Sequence, residues 1–386
     1  MPPTASPDGP LAGIVVVDLT RVLAGPFCTL VLADLGARVV KVERPGSGDD
    51  ARAIGPFVHG ASAYFASVNR GKESVALDLS LEADLATLHR LLAGADVLIE
   101  NFRPGVMDRL GLGWEAVHAR HPGLVYASVS GFGQTGPYAG RPAYDMVAQA
   151  MGGIMSITGH PGGEPTRVGT SVGDITAGLF TAVGILAALH DRAGSGGGRR
   201  VDVAMLDCQV AILENALARY AATGVAPGPL GSRHPSITPF GVFRAADGHL
   251  VLAAGNDALF ARLCSVLAVP DVAADPRFAS NELRTVHHAE LRAALESALG
   301  HSPVADWLAR LEAADLPCAP INDVAAVINH PQVLARHMAV QVDDPLIGPL
   351  TVAGNPIKMS GFPDPTTRRP APGLDADRRS VLGPDS

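Results

Sequence analysis

Residues 14–43 read IVVVDLTRVLAGPFCTLVLADLGARVVKVE, and the fold class turns on them. IVVVDL (14–19) is a short apolar run rich in β-branched side chains, the pattern of a strand buried on both faces. Gly25-Pro26 opens a helix through about Gly36, and ARVVKVE (37–43) is a second strand. Strand, helix and strand make a βαβ unit, since parallel strands need such a crossover. The alternation continues with SVALDL as a strand, LEADLATLHRLLAG as a helix, DVLIE as a strand, helices over 104–110 and 114–120, and LVYASVS as a strand. Such alternation predicts an α/β protein with a mainly parallel sheet covered on both faces.

A dinucleotide-binding unit carries GxGxxG in its first turn and an acid after the second strand to hold a ribose. Here the turn is TRVLAGP, short of two of those glycines, and Glu43 is followed by Arg44-Pro45-Gly46. A cation therefore stands where the nucleotide would approach, and the sequence argues against NAD.

At 386 residues the chain is long enough for two domains or one large domain with an insertion. A hydrophobic fraction of 47% with 18% charged residues excludes a disordered chain. Net charge is -8 and the basic residues are scattered, so no nucleic-acid footprint is present. Cys28, Cys208, Cys264 and Cys318 lie far apart without metal spacing, and none of the 13 histidines sits in a metal or catalytic motif. No metal is expected. The start, MPPTASPDGPLAG, lacks the basic and apolar regions of a signal peptide, which with reduced thiols reads as cytoplasmic.

Further on, an apolar run from Asp174 to about His190 reads as a buried helix, AGSGGGRR as a turn, and RVDVAMLD as a strand entering the helix CQVAILENALARYAA. GVAPGPLGSRHPSITPFG (224–241) changes texture to Pro and Gly. An α+β module should follow, with a hairpin turning at Asp247-Gly248 and helices from Asp257, Glu282 and Pro303; paired His287-His288 read as exposed helix. PLTVAGNPIKMSG is strand-like, and the last 20 residues read as extended chain. The expected partition is a large domain over 1–223, a small α+β domain over 224–322, and a segment, 323–386, returning to the large domain.

Asp174, in VGTSVGDITAG (168–178), has two readings. An Asp before an apolar helix is an N-cap, accepting the free N–H groups of the first turn. The same glycine-permitted turn also suits a carboxylate presented to a cleft as a nucleophile. Nothing local separates the two.

Motifs elsewhere do. VKVERPGSGD (40–49), NRGKESVALDL (69–79), ENFRPGVMDRLGLGWE (100–115) and SGFGQTGPYAGRPAYDMVAQAMGG (130–153) resemble the class III coenzyme A transferases, over nearly the whole chain from Leu11 to APGLDADRRSVLG. The resemblance implies a large Rossmann-like domain built from both chain ends, a smaller α+β domain, and an interlocked homodimer. It makes coenzyme A, as acyl-CoA, the substrate and a free carboxylic acid its partner, with no nucleic acid and no membrane. The family's nucleophile falls on Asp174, and CoA contacts fall on Arg44, Asn69, Arg70, Lys72, Asn101, Phe102 and Arg109.

The same superfamily holds 2-methylacyl-CoA racemases, which resemble this chain but place a His directly before the Asp of the motif read here as AYDMVAQA. Tyr144 stands there instead, and a phenol with a pKa near 10 is a poor base at neutral pH. Tyr144 and Asp145 are expected to shape the acyl pocket. A non-catalytic acyl-CoA binder would keep the cations and have no use for Asp174. In AAGNDALF (253–260), Gly255 and Asn256 replace the glycine run that closes over the reacting carboxylate in formyl-CoA transferase, which argues against oxalate or formyl specificity. With GSRHPSITPFG the segment looks closer to succinyl-CoA:glutarate transferases. Arg233, His234 and Ser236 could then meet a distal carboxylate, or be ordinary polar residues of a crossing loop.

Overall fold

The computed structural model describes residues 9–384, so the MPPTASPD part of the leader reading lies outside the described residues. Two compact units are present. The larger takes the chain up to Met155, Arg167–Val225 and everything from Ile328 onward; the smaller takes Ser156–Thr166 and Ala226–Val327. Residues 156–166, which the sequence partition left in the large domain, thus group with the smaller unit. One cause is a backbone bond from Gly231 N–H to the Gly159 carbonyl, 2.8 Å.

The larger unit is built on six strands: β1 (Val15–Asp18), β2 (Arg38–Glu43), β3 (Glu73–Ala76), β4 (Val97–Glu100), β5 (Val125–Ser130) and β6 (Arg200–Ala204). Their order is β3-β2-β1-β4-β5-β6 and every pair is parallel. That is the doubly wound order, reached without the glycine fingerprint. Side chains alternate along each strand. Val16, Val39, Val97 and Val125 face one layer; Val17, Val40, Leu98 and Tyr126 face the other. Helix α1 (Ala24–Asp34) covers the first face, and α3 (Glu82–Leu92) and α4 (Trp114–Arg120) the second, with the short α2 (Ala63–Asn69) leading into β3. The chain order of the elements then follows from right-handed crossovers.

After β5 come α5 (Asp145–Met151) and the long α6 (Val172–Ser195), which returns to β6 and on to α7 (Met205–Ala211). By length and composition alone α6 would cross a membrane. Its row Ala177, Thr181, Ile185 and Ala188 is instead buried on the sheet at helical spacing. Helix α6 meets α1 at Gly178, where a Cβ would stand 2.7 Å from the Ala24 carbonyl oxygen; only glycine permits that approach. Because β6 is parallel to its neighbours, the first turn of α6 lies at the carboxyl edge of the sheet.

In the smaller unit β7 (Phe240–Arg244) and β8 (His249–Ala253) form the expected hairpin, with β9 (Cys318–Pro320) antiparallel on β8. Leu250 and Leu252 of β8 pack with Leu291, Leu295 and Trp307 from the helices His288–Leu299 and Val304–Ala313. His287 and His288 are half-buried at the junction of two helices rather than within one exposed helix.

The C-terminal segment adds a hairpin, β10 (Ala339–Asp344) with β11 (Gly348–Ala353), and it does not end as extended chain. The tail turns into a helix, Arg378–Leu382, beside the outermost strand β3. There Asp377 accepts from Ser74 N–H at 2.9 Å and Asp375 from Ala76 N–H at 2.7 Å. Those carboxylates satisfy an edge that would otherwise be open to pairing. The acids of LDADRR are therefore structural.

Candidate active site

Asp174 is not the cap of α6. Ser171 holds that position, and Asp174 is the third residue of the first turn, half-buried. No hydrogen bond or ion pair among the described residues reaches its carboxylate. The helix dipole would favour the charged form there. Burial, with the nearby Asp145 carboxylate second, wins and pushes the pKa up to about 7.

Asp145 explains how the turn is held. It opens α5, is buried, and accepts from Gly173 N–H at 2.8 Å and from Gln149 Nε2 at 2.7 Å. Gln149 in turn accepts from Val168 N–H at 2.9 Å, so two residues of α5 pin both ends of the loop before Asp174. Asp145 therefore braces the turn that carries Asp174. Tyr144, in contrast, is 75% exposed. Sequence reasoning missed Tyr64 on α2. Its hydroxyl is pushed up to about 12 by burial, then by Asp174, which places a phenol donor in the field of that carboxylate.

The turn after β1 is braced by a buried charge network. Asp18 accepts from Thr20 N–H at 2.8 Å and from the Thr29 hydroxyl at 2.6 Å, and pairs with Lys72 at 3.2 Å. Lys41 donates to the Thr20 carbonyl at 2.6 Å and pairs with Asp49 at 2.8 Å. Asp49 also accepts from the N–H of Val22, at 2.9 Å, and Val22 has φ +67°. A β-branched residue in the left-handed region is strained, and it persists because its surroundings over-determine it. Asn101 closes the clamp from β4, accepting from Arg21 N–H at 2.9 Å and donating to the Arg21 carbonyl at 2.8 Å. The clamp spans β1 and β4, where the strand order reverses and doubly wound sheets open a ligand crevice.

The residues expected to hold CoA fall into two groups. Arg44 and Arg109 are exposed, and Asn101 and the half-buried Phe102 sit at the carboxyl end of β4, with the Arg21 guanidinium 5.7 Å from the Phe102 ring. Asn69, Arg70 and Lys72 are buried and occupied. Lys72 donates to Asn69 Oδ1 at 2.8 Å and the Pro26 carbonyl at 3.1 Å besides pairing with Asp18; Arg70 is bidentate to Asp34 at 2.6 and 2.8 Å. NRGK is thus an internal brace in this structure, because its cations have already exchanged water for protein partners.

In the smaller unit, the two segments named from sequence adjoin. Ala254 N–H donates to the Pro239 carbonyl at 2.9 Å, and a Cβ on Gly255 would stand 2.9 Å from Ile237. Asn256 caps the helix Asp257–Val266 through Leu259 N–H, and His234 accepts from Ser236 N–H at 3.1 Å, so both have local structural duties. Arg233 is half-buried with no side-chain bond among the described residues. Sequence reasoning missed the organiser, Arg284, fully buried, which donates to the Thr238 and Phe278 carbonyls and to Asp257 at 2.6 Å.

A doubly wound sheet without a dinucleotide fingerprint, carrying at its carboxyl edge a half-buried carboxylate with no partner among the described residues, is the frame of an α/β protein with a candidate nucleophile. Residues 11–378 match CoA-transferase family III, and the chain belongs to that family. It is 50% identical to the acetyl-CoA:oxalate CoA-transferase of Acetobacter aceti, covering 99% of this chain and 98% of that one. The succinate–glutarate CoA-transferase of Agrobacterium fabrum is 41% identical over 97% of this chain and 95% of its own length. A crystal structure of a CAIB/BAIF family protein from Brucella suis superposes with TM-score 0.86 at 40% identity, covering 98% of this chain and 100% of that one.

Proposed function

We propose that this family III CoA-transferase moves CoA from an acyl-CoA to a short dicarboxylic acid through covalent intermediates on Asp174. The observation that carries the reading is the state of Asp174: a half-buried carboxylate with no partner among the described residues, raised to about 7 and therefore more basic than an ordinary aspartate. Its oxygen attacks the thioester carbonyl, the C–S bond breaks, and CoA leaves as the thiolate, giving a mixed anhydride. The thiolate then attacks the aspartyl carbonyl of that anhydride and expels the donor acid, leaving an aspartyl-CoA thioester. The acceptor carboxylate attacks this thioester and expels CoA thiolate, giving a second mixed anhydride, and the thiolate then attacks the acceptor carbonyl of that anhydride, forming the new acyl-CoA and freeing the Asp174 carboxylate.

Oxalate and glutarate, from the names of relatives, are the first acceptors to test, with acetyl-CoA and succinyl-CoA as donors. The single glycine in AAGND weighs against oxalate and the 50% relative for it. CoA phosphates are assigned to Arg44 and Arg109, whose guanidinium groups are exposed, and the adenine to Phe102. The acceptor contact in the larger unit is assigned to the exposed Tyr144. A cytoplasmic homodimer completes the reading, supported by the exposed Met146, Met151, Phe180 and Val183 on α5 and α6, an apolar set suited to a second copy. The test is a matrix of these donors and acids, with CoA affinity measured in parallel for Asp174→Ala. Transfer by the native protein, with loss of transfer and retained CoA binding in the variant, supports the proposal. Retained transfer in the variant, or exchange of the α-proton of a 2-methylacyl-CoA in deuterated water without transfer, contradicts it.

A further inference from the structure

A cavity of about 640 Å³ opens at the other edge of the sheet, where β1 and β2 begin, and is lined entirely by the larger unit. Its volume is that of a small-molecule site. Val15 and Arg38, the first residues of β1 and β2, line one side and segment 355–369 the other. Ile14, Ile357, Met359 and Phe362 give it an apolar wall. Its charged lining is Arg38, Arg70, Lys358, Arg368 and Arg369 against Asp34, Glu73 and Asp364, an excess of cations.

Those cations are incompletely satisfied. Arg70, 3% exposed, uses both terminal nitrogens on Asp34 and the Ala353 carbonyl, and its Nε is buried without a hydrogen-bond partner among the described residues. Arg38 gives Nε to Glu73 at 2.7 Å, and its Nη2 is likewise buried and unpartnered. Arg368 donates Nη1 to the Pro365 carbonyl at 2.7 Å and reaches Asp34 and Asp364 at 3.8 and 3.6 Å, and its buried Nε has no hydrogen-bond partner among the described residues. Arg369 is exposed and makes no ion pair among the described residues. Buried donors without acceptors are rare, and an oxyanion is the group that planar guanidinium forks bind best.

We propose that this cavity is a second ligand site, at the opposite edge of the sheet from Asp174, for a small amphipathic oxyanion. The carboxylate or phosphate head meets Arg368 and the exposed Arg369, with Arg38 beside them, and the apolar tail lies against Ile357, Met359 and Phe362. The proposal does not rest on the transferase mechanism.

Calorimetric titration of the full chain, saturated with CoA, with octanoate, octyl phosphate and 1-octanol tests it. At least one of the two anions is expected to bind once per chain, at least tenfold more tightly than the alcohol, and which anion binds tighter identifies the head group. Arg368→Gln should weaken binding at least tenfold. Ser360→Trp, at an exposed lining position, should do the same by filling the cavity, and decides the matter if the arginine variant fails to fold. The proposal is overturned by absence of binding (as when a second copy fills the cavity), by equal binding of the alcohol, by displacement with CoA, or by undiminished affinity in Ser360→Trp.

Discussion

Asp18 and Asp174 are both withdrawn from water in the larger unit, yet Asp18 is held down at about 2 and Asp174 is pushed up to about 7. Burial raises both. Around Asp18, Lys41, Lys72 and two threonine hydroxyls outweigh it. Around Asp174 the second influence is another carboxylate, Asp145, in the same direction. A paired buried charge braces the fold, and a buried charge left unpaired is stored reactivity.

The comparison breaks most visibly at turnover. Asp174→Asn should lower the transfer rate by about 10³-fold or more, since the substituted amide is no nucleophile, measured as steady-state CoA transfer. Lys72→Met should leave transfer chemistry in place while costing about 3 kcal/mol in urea unfolding, because it strands Asp18 beside fewer cations. If both substitutions acted alike, the division between brace and nucleophile would be wrong.

Asp174→Asn should at the same time stabilise the fold. A carboxyl whose folded pKa is raised binds its proton more tightly when folded, so ionising it lowers stability as pH climbs from its unfolded value toward about 7. The gain from the substitution should be small at pH 4, grow to pH 7 and stay level above, reaching about 2 kcal/mol at pH 8 after allowance for the solvent near a half-buried group. Thermal melts of both proteins across that range check the sign. For catalysis the same group must be ionised, so the rate of acyl capture should rise with pH through about 7. Asp145→Asn should move that rise to lower pH only in part, because burial is the larger cause. The smallest effect on turnover is expected in Gly178→Ala, where overpacking of α6 on α1 costs about 1–3 kcal/mol of stability without altering the pH profile.

Much of the larger unit was legible because IVVVDL, ARVVKVE, DVLIE and LVYASVS are apolar runs punctuated by glycine and polar turns, and β1, β2, β4 and β5 lie within them. The hairpin at Asp247-Gly248 was legible from its turn residues. Asp174 could be singled out, but its environment could not: Tyr64 and Asp145 come to it from segments 110 and 29 residues upstream, and no local pattern encodes that. Arg70 and Lys72 were expected at the ligand and are found inside, for a physical reason. Charged side chains are seldom fully buried, so cations in a motif read as ligand-facing, whereas here Asp34 and Asp18 hold them inside. The C-terminal helix escaped notice because five residues, Arg378–Leu382, carry too little periodicity, and the job of Asp375 and Asp377 appears only once β3 is seen to be an edge.

The central claim is that Asp174 carries the acyl group and then CoA. Mass spectrometry of the protein after incubation with acyl-CoA, with hydroxylamine or borohydride trapping and peptide mapping, tests it most directly. The account predicts a hydroxamate or a reduced alcohol at Asp174 alone, absent in Asp174→Asn; a label on any other residue, or none during active turnover, contradicts it.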